Sequence, residues 1–165
     1  MNLKTTLMAA ALAAAGLTLA TAQAATDTAN MPVKITIQAA CDIHTVGPTT
    51  LDFGTQGVLS AAVAGTSTLT VTCTSGAAYS MTLDGGHTAN VAARTMINGA
   101  NAVGYQLYSD LAHANVWGLV GNNAGQTGGT GNGSAQTYTV YGNVPAQTTP
   151  PAGVYNDTIL VTVTY

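Results

Sequence analysis

The sequence predicts an all-β protein built as an antiparallel β-sandwich, and three observations carry that prediction. Apolar and polar residues alternate over most of the chain, whereas no segment has the 3.6-residue apolar stripe of a helix. Turn-forming Gly, Asn, Asp and Pro recur roughly every eight to twelve residues. Charged residues make up 5% of the chain and glutamate is absent, so good helix formers are scarce. About seven short strands are therefore expected.

The first residues predict an export signal. Lys4 gives a positive start, and the apolar run Leu7–Ala20 is shorter than the roughly 20 residues that a membrane span needs. Ala22-Gln23-Ala24 places small residues where a signal peptidase cleaves. We therefore expect residues 1–24 to be a signal peptide, and the protein to be exported through the periplasm without membrane insertion.

The segment Met31–Ala40 is the first strand candidate after that signal, because its apolar residues fall on every second position. Its apolar face would consist of Met31, Val33, Ile35, Ile37 and Ala39. The pattern alone leaves two alternatives open. The strand pairs in cis within its own domain, or it pairs with another copy of the chain.

Period-two alternation and turn residues predict the later elements in order. Strands are expected in part of Asp42–Val58, then at Leu69–Cys73, Tyr79–Leu83, Val91–Ala100, Val103–Tyr108, Val116-Trp117, Tyr138–Tyr141 and Ile159–Tyr165. Asp84-Gly85-Gly86 and Asn98-Gly99 are predicted hairpin turns, and the glycine-rich stretch Gly121–Ser134 a surface loop.

The closing strand has one apolar face, formed by Ile159, Val161, Val163 and Tyr165. The sequence ends on this long amphipathic strand, which is the pattern expected of a sandwich that is one strand short.

Cys41 and Cys73 are the two cysteines of the chain. An even count in an exported protein predicts a disulfide between them. A metal site is not expected, because two cysteines without nearby histidines make at best half of a zinc site.

Composition and motifs argue against several classes of function. A net charge of −3 disfavours nucleic acid or an anionic membrane as partner. The histidines His44, His87 and His113 are far apart and outside any hydrolase or metalloprotease motif, so neither catalysis nor a cofactor is expected. Trp117 and Tyr105 are expected in the core; the alternative is a carbohydrate-binding platform.

Eight short blocks, in order, resemble one known family. They are Leu51-Asp52-Phe53-Gly54, the strand Leu69–Cys73, Arg94-Thr95-Met96, residues Tyr105 to Asp110, Val116-Trp117-Gly118, Tyr141-Gly142, residues Ala152 to Asp157, and residues Val161 to Tyr165. From about Met31 to Tyr165 the chain resembles the spore coat protein U domain, and in particular the Csu-type pilins of archaic chaperone–usher pili.

The resemblance implies an immunoglobulin-like sandwich, residues 41–165, that lacks its final strand. Residues 25–40 would be an N-terminal extension whose strand Met31–Ala39 is donated to a neighbouring subunit. The acceptor edge would be the strand carrying Ile159, Val161, Val163 and Tyr165, and Tyr155 would fix a corner of the sandwich.

The resemblance also implies partners and a role. They are a periplasmic chaperone, an outer-membrane usher and identical or related pilus subunits, in a fimbrium that supports attachment and biofilm formation. The alternative is a secreted protein, either coat-forming or carbohydrate-binding, with its first strand paired in cis.

Overall fold

A computed structural model describes residues 24–44, 47–118 and 127–165. The chain divides into two units, Met1–Ile35 and Thr36–Tyr165. In the first unit, the described residues 24–35 have neither helix nor strand. The described residues contain no helix that is long and apolar enough to cross a membrane. Most of the predicted signal peptide lies outside them.

The second unit is all-β, as predicted. Its described residues form eight strands: β1 (Cys41–Asp42), β2 (Val63–Cys73), β3 (Ala78–Leu83), β4 (Arg94–Asn98), β5 (Asn101–Tyr108), β6 (Thr127–Thr130), β7 (Ala135–Val144) and β8 (Val161–Thr164). A 3₁₀ turn, Gly86–Thr88, lies between β3 and β4.

The strands form two antiparallel sheets, which confirms the predicted immunoglobulin-like sandwich class. One sheet has the order β1-β2-β7-β5-β4 and the other has the order β6-β3-β8. Side chains of both sheets meet in one core, in which Val71, Met81 and Trp117 have no exposed surface. Trp117 donates its indole N–H to the Met81 carbonyl at 3.0 Å. Trp117 and Tyr105 are therefore core residues, as expected from the sequence.

The predicted disulfide is present and joins β1 to the end of β2. Cys41 and Cys73 are direct partners in the register of these two strands, with their Cα atoms 4.1 Å apart. Because β1 has only two residues, this bond fixes the point at which the chain enters the sandwich.

The corner expected at Tyr155 also forms, since the Tyr155 hydroxyl donates to the Pro151 carbonyl at 2.8 Å.

Two turn predictions have different outcomes. Asn98-Gly99 does lead the β4–β5 hairpin, in which Asn98 pairs with Asn101 and Gly99 has a φ of 60°. Asp84-Gly85-Gly86 does not make a hairpin. It begins the crossing from β3 in the three-stranded sheet to β4 in the five-stranded sheet, so that prediction is wrong.

The region predicted as a loop contains a strand. Within Gly121–Ser134, Thr127–Thr130 forms β6 and pairs with β3, while residues 121–126 lie outside the described residues. The described part of the stretch, residues 127–134, buries almost no side chain, so hydrophobic periodicity could not detect the strand. Glycine permits the pairing, because a Cβ on Gly128 would stand 2.2 Å from the Tyr79 carbonyl oxygen.

The strands expected within Asp42–Val58 are also absent beyond β1 among the described residues. Leu51 and Phe53 instead pack over glycines of the five-stranded sheet. A Cβ on Gly142 would lie 2.8 Å from Leu51 and 2.9 Å from Phe53. The alternation of Leu51 and Phe53 thus reflects packing onto the sheet face and not membership of a ladder.

Candidate functional site

The edge strand β8 has an incompletely covered apolar face. It pairs with β3 through the register Ser80–Thr164 to Leu83–Val161 and is the last strand in the order β6-β3-β8. Ile159, Val161 and Val163 pack against the core, yet each stays partly exposed. We call the strip formed by Ile159, Val161, Val163 and Tyr165 the β8 edge. An edge strand offers unpaired backbone groups, and here it offers apolar side chains as well.

The segment around Phe53 lies near the start of the β8 edge. The rings of Phe53 and Tyr105 meet edge to face with their centroids 6.3 Å apart. The hydroxyl of the same Tyr105 donates to Asp157 at 2.7 Å, two residues before Ile159. Leu51 and Phe53 are themselves only partly buried against the core. Tyr105 thus links the partly buried Phe53 to Asp157, which precedes the β8 edge.

The predicted donor residues are exposed apolar side chains. In the first unit, Met31, Val33 and Ile35 have at least 82% of their surface exposed, and in the second unit Ile37 has 69%. Residues 24–40 have no assigned strand. Four large apolar side chains at alternate positions are unusual on a soluble protein without a partner.

Arg94 is the buried polar centre behind the β8 edge. It lies on β4, is 1% exposed, and donates to the carbonyls of Leu83 at 3.1 Å and Trp117 at 2.7 Å. It also donates to the Asp84 carbonyl at 2.9 Å and to the Gln106 side chain. Burial lowers the pKa of Arg94, although a guanidinium stays protonated in proteins. Arg94 therefore ties the five-stranded sheet to the end of β3.

Two aspartates connect this centre to the start of β8. The Asp84 carboxylate accepts the Leu160 backbone N–H at 2.9 Å, and the Asp84 N–H donates to the Leu160 carbonyl at 3.1 Å. Asp157 accepts from Tyr105 and from the His87 backbone N–H at 2.8 Å. The backbone that leads into the β8 edge is thus held in one position by these hydrogen bonds.

Tyr105 gives this region a predicted alkaline sensitivity. Burial, and then the hydrogen bond to Asp157, raise the pKa of Tyr105 above its ordinary value, because both disfavour the phenolate. A raised pKa means that stability is complete below the unfolded value of about 10 and is lost as the pH rises above it. Urea midpoints followed by Trp117 fluorescence should therefore fall from about pH 10 upward.

Tyr105→Phe tests whether Tyr105 causes this loss of stability at alkaline pH. The variant should be less stable at about pH 8, because it lacks the bond to Asp157, and its midpoint should fall less steeply above about pH 10. Tyr79, whose pKa is also raised by burial, accounts for the remaining slope. A decline as steep in Tyr105→Phe as in the unmodified chain would contradict this assignment.

The histidines and acidic residues do not form a metal cluster within the described ranges. His44 follows β1, His87 lies in the 3₁₀ turn, and His113 lies beyond β5. The role of Arg94 was not predicted from the sequence, although a signal was available. Arg94 and Met96 share one strand face, which places an arginine on the inward side of β4.

Comparison with known proteins returns one family. The model of the family described as Spore Coat Protein U domain matches residues 27–162. A curated relative, Protein U of Myxococcus xanthus, is 37% identical over 186 aligned positions, which cover 100% of each chain.

A solved structure gives a fold-level likeness. It is titled as the CsuC-CsuE chaperone-tip adhesion subunit pre-assembly complex from archaic chaperone-usher Csu pili of Acinetobacter baumannii. The TM-score is 0.55 at 22% sequence identity over 79% of this chain. The match spans 40% of the length of the solved chain, and at this identity it shows a shared fold.

Proposed function

Because the chain belongs to the spore coat protein U domain family, we propose that it is a structural subunit of a surface fibre exported by a chaperone–usher pathway. Neighbouring subunits join when one chain donates the strand Met31–Ala39 to the β8 edge of the next. A periplasmic chaperone and an outer-membrane usher are the assembly partners. The fibre supports attachment and biofilm formation.

One observation carries the proposal: the β8 edge and the donor segment have matching chemistry. The β8 edge contains the partly exposed Val161 and Val163, and the proposed donor is an exposed segment with Ile35 and Ile37 at the same spacing. Adding a strand to an exposed edge supplies main-chain hydrogen bonds, while alternate side chains enter the core. The likeness to a chain from a chaperone-subunit complex supports this at the level of the fold.

The energetics favour exchange between subunits. Burying Met31, Val33, Ile35 and Ile37 contributes roughly 1.5–3 kcal/mol each, or about 6–12 kcal/mol before the entropy cost of ordering the strand. A domain has a net stability of about 5–15 kcal/mol. The donated strand is thus large enough to decide whether subunits stay joined. Head-to-tail contacts of this kind are heterologous and build open filaments.

Aspartate substitutions on the two faces of each strand test the proposal. Ile35→Asp and Val163→Asp should each abolish polymers that resist SDS until heated, because a carboxylate would enter the core. The matched controls Thr36→Asp and Thr162→Asp alter the opposite faces and should leave the polymers intact. Polymer ladders on unheated gels and fibres in electron micrographs are the readouts. Equal effects on both faces would contradict the assigned donor and acceptor.

The family description favours one alternative, a secreted coat protein with its first strand paired in cis. Such a protein would form a layer by lateral contacts and would stay monomeric when diluted. Linear SDS-resistant fibres favour the pilus role, whereas sheets that dissolve in SDS without heating favour the coat.

A further inference from the structure

On the solvent-facing side of the five-stranded sheet, strands β2, β4, β5 and β7 bear no charged side chain, whereas β1 places Asp42 opposite Thr72 at the edge farthest from β4. Alternate residues point away from the core, and they are hydroxyl, aromatic, amide or small residues. We call this surface the outer face. It comprises Ala64, Thr66, Thr68, Thr70, Thr72, Thr95, Ile97, Ala102, Gly104, Gln106, Tyr108, Thr137, Thr139, Tyr141 and Asn143.

Two tyrosines lie side by side on this face. Tyr108 of β5 and Tyr141 of β7 are direct cross-strand partners, and Thr66 of β2 is the next partner of Tyr141. Asn143 follows on β7, opposite Gln106. Directly opposed side chains in a sheet lie about 4.5–5.5 Å apart at Cβ, so these rings and the amide form one continuous patch.

A shallow depression of about 400 Å³ lies beside the tyrosine pair. Its polar lining includes Thr95, Gln106, Tyr108, Asn143 and Arg94. The Arg94 guanidinium is 1% exposed and already hydrogen-bonded, so it presents no free charge to the depression. The Gln106 amide is already engaged, since it donates to the Val91 carbonyl at 2.9 Å and accepts from Arg94. By contrast, Thr95, Tyr108 and Asn143 make no side-chain hydrogen bond to any residue the structure describes. Their donors and acceptors are available to a ligand.

The loop that follows β5 lies against Tyr108. His113 has a φ of 56° and lies against Tyr108 with a ring-centroid distance of 4.7 Å. Asp110 fixes this loop by accepting the backbone N–H groups of Ala114 at 3.1 Å and Asn115 at 2.7 Å. Positive φ is uncommon outside glycine, and such conformations persist where the surroundings hold them in place. The loop therefore presents His113 to the patch in one orientation.

We propose that this patch is a binding site for a neutral polysaccharide. Aromatic rings offer flat apolar surfaces to the C–H faces of sugar rings, and hydroxyl and amide groups pair with sugar hydroxyls. The absence of charge on the outer-face strands favours a neutral chain over an acidic one. A patch that runs across three neighbouring strands, β2, β7 and β5, suits an extended polymer better than a small solute. The site lies on the opposite sheet from β8, so it goes beyond the proposed assembly function.

Titration of the mature chain with cellohexaose, chitohexaose and maltohexaose, followed by calorimetry, tests the proposal. At least one of these neutral probes should bind, and Tyr108→Ala and Asn143→Ala should each weaken that binding at least about tenfold. Thr137→Ala, on the same face but beyond the patch, is the matched control and should bind as the unmodified chain does. Tyr108→Phe keeps the ring and should retain most of the binding.

Three results would overturn the proposal. One is the absence of binding to all three probes at millimolar concentration. The other is equal loss in Thr137→Ala and Tyr108→Ala, which would mean that the patch is not the site. Tighter binding of a hexameric oligoalginate than of every neutral probe would also overturn it, because the assigned ligand class would be wrong. Thermal melts of each variant show whether a loss of binding reflects loss of folding.

Discussion

Arg94→Met should lower the free energy of unfolding by about 3–5 kcal/mol, a large share of a typical domain's stability. The substitution leaves the carbonyls of Leu83, Asp84 and Trp117 without their donor in a site that is 1% exposed. Each buried acceptor left unpaired costs about 1–3 kcal/mol. The loss should appear in urea unfolding followed by Trp117 fluorescence.

Two further variants identify the cause. Arg94→Lys retains a charge but lacks the planar array of donors, so its stability should fall between those of the unmodified chain and Arg94→Met. Lys34→Met removes a cation from an exposed position and should leave the unfolding curve unchanged. A shift below about 0.5 kcal/mol in Arg94→Met would mean that the buried hydrogen bonds contribute no net stability.

Removing the Cys41–Cys73 disulfide should have the second largest effect on stability. The bond closes a loop with a sequence separation of 32. The chain-entropy relation gives a stabilisation of roughly 3–4 kcal/mol for such a loop. The double variant Cys41→Ser, Cys73→Ser should therefore unfold at lower urea, and so should the unmodified chain kept in a thiol reductant.

The reductant provides the control for this prediction. It should not alter the double variant, which has no thiol left. Because β1 is only two residues long and holds the N-terminal segment to β2, the double variant should also release residues 36–42 to proteolysis. Identical urea midpoints with and without the disulfide would contradict this account of β1.

Strict alternation made most of the sandwich predictable. Leu69, Val71 and Cys73 mark the inward face of β2, and Val103, Tyr105 and Leu107 mark that of β5, because side chains along a strand point alternately inward and outward. The hairpin at Asn98-Gly99 was equally predictable, because the Asn-Gly pair favours tight hairpin turns.

The failures have physical reasons. β6 is held by backbone pairing at Gly128 and Gly129, which leaves no side-chain pattern to detect. Leu51 and Phe53 alternate as in a strand but pack over Gly142, a long-range contact that local sequence does not encode. The Asp84 turn crosses between sheets, because its carboxylate pairs with Leu160 from the far end of the chain.

The candidate site was predictable only as separate halves. Alternation identified the apolar residues of the proposed donor segment and of the β8 edge, but periodicity does not say which strand pairs with which. Asp84 and Asp157 hold the start of β8, and Arg94 holds the end of β3, through hydrogen bonds to groups that are distant in sequence. Such long-range contacts cannot be predicted from local sequence patterns and are seen only in the folded structure.

Mixing two assembly-defective variants tests strand exchange between subunits most directly. Ile35→Asp has a damaged donor and an intact acceptor, and Val163→Asp has the reverse. Neither should polymerise alone. Mixed in equal amounts, they should form SDS-resistant one-to-one dimers and nothing longer, because each dimer ends in one damaged donor and one damaged acceptor. If both variants stay folded and monomeric after mixing, the strand is not exchanged between subunits and the central claim is wrong.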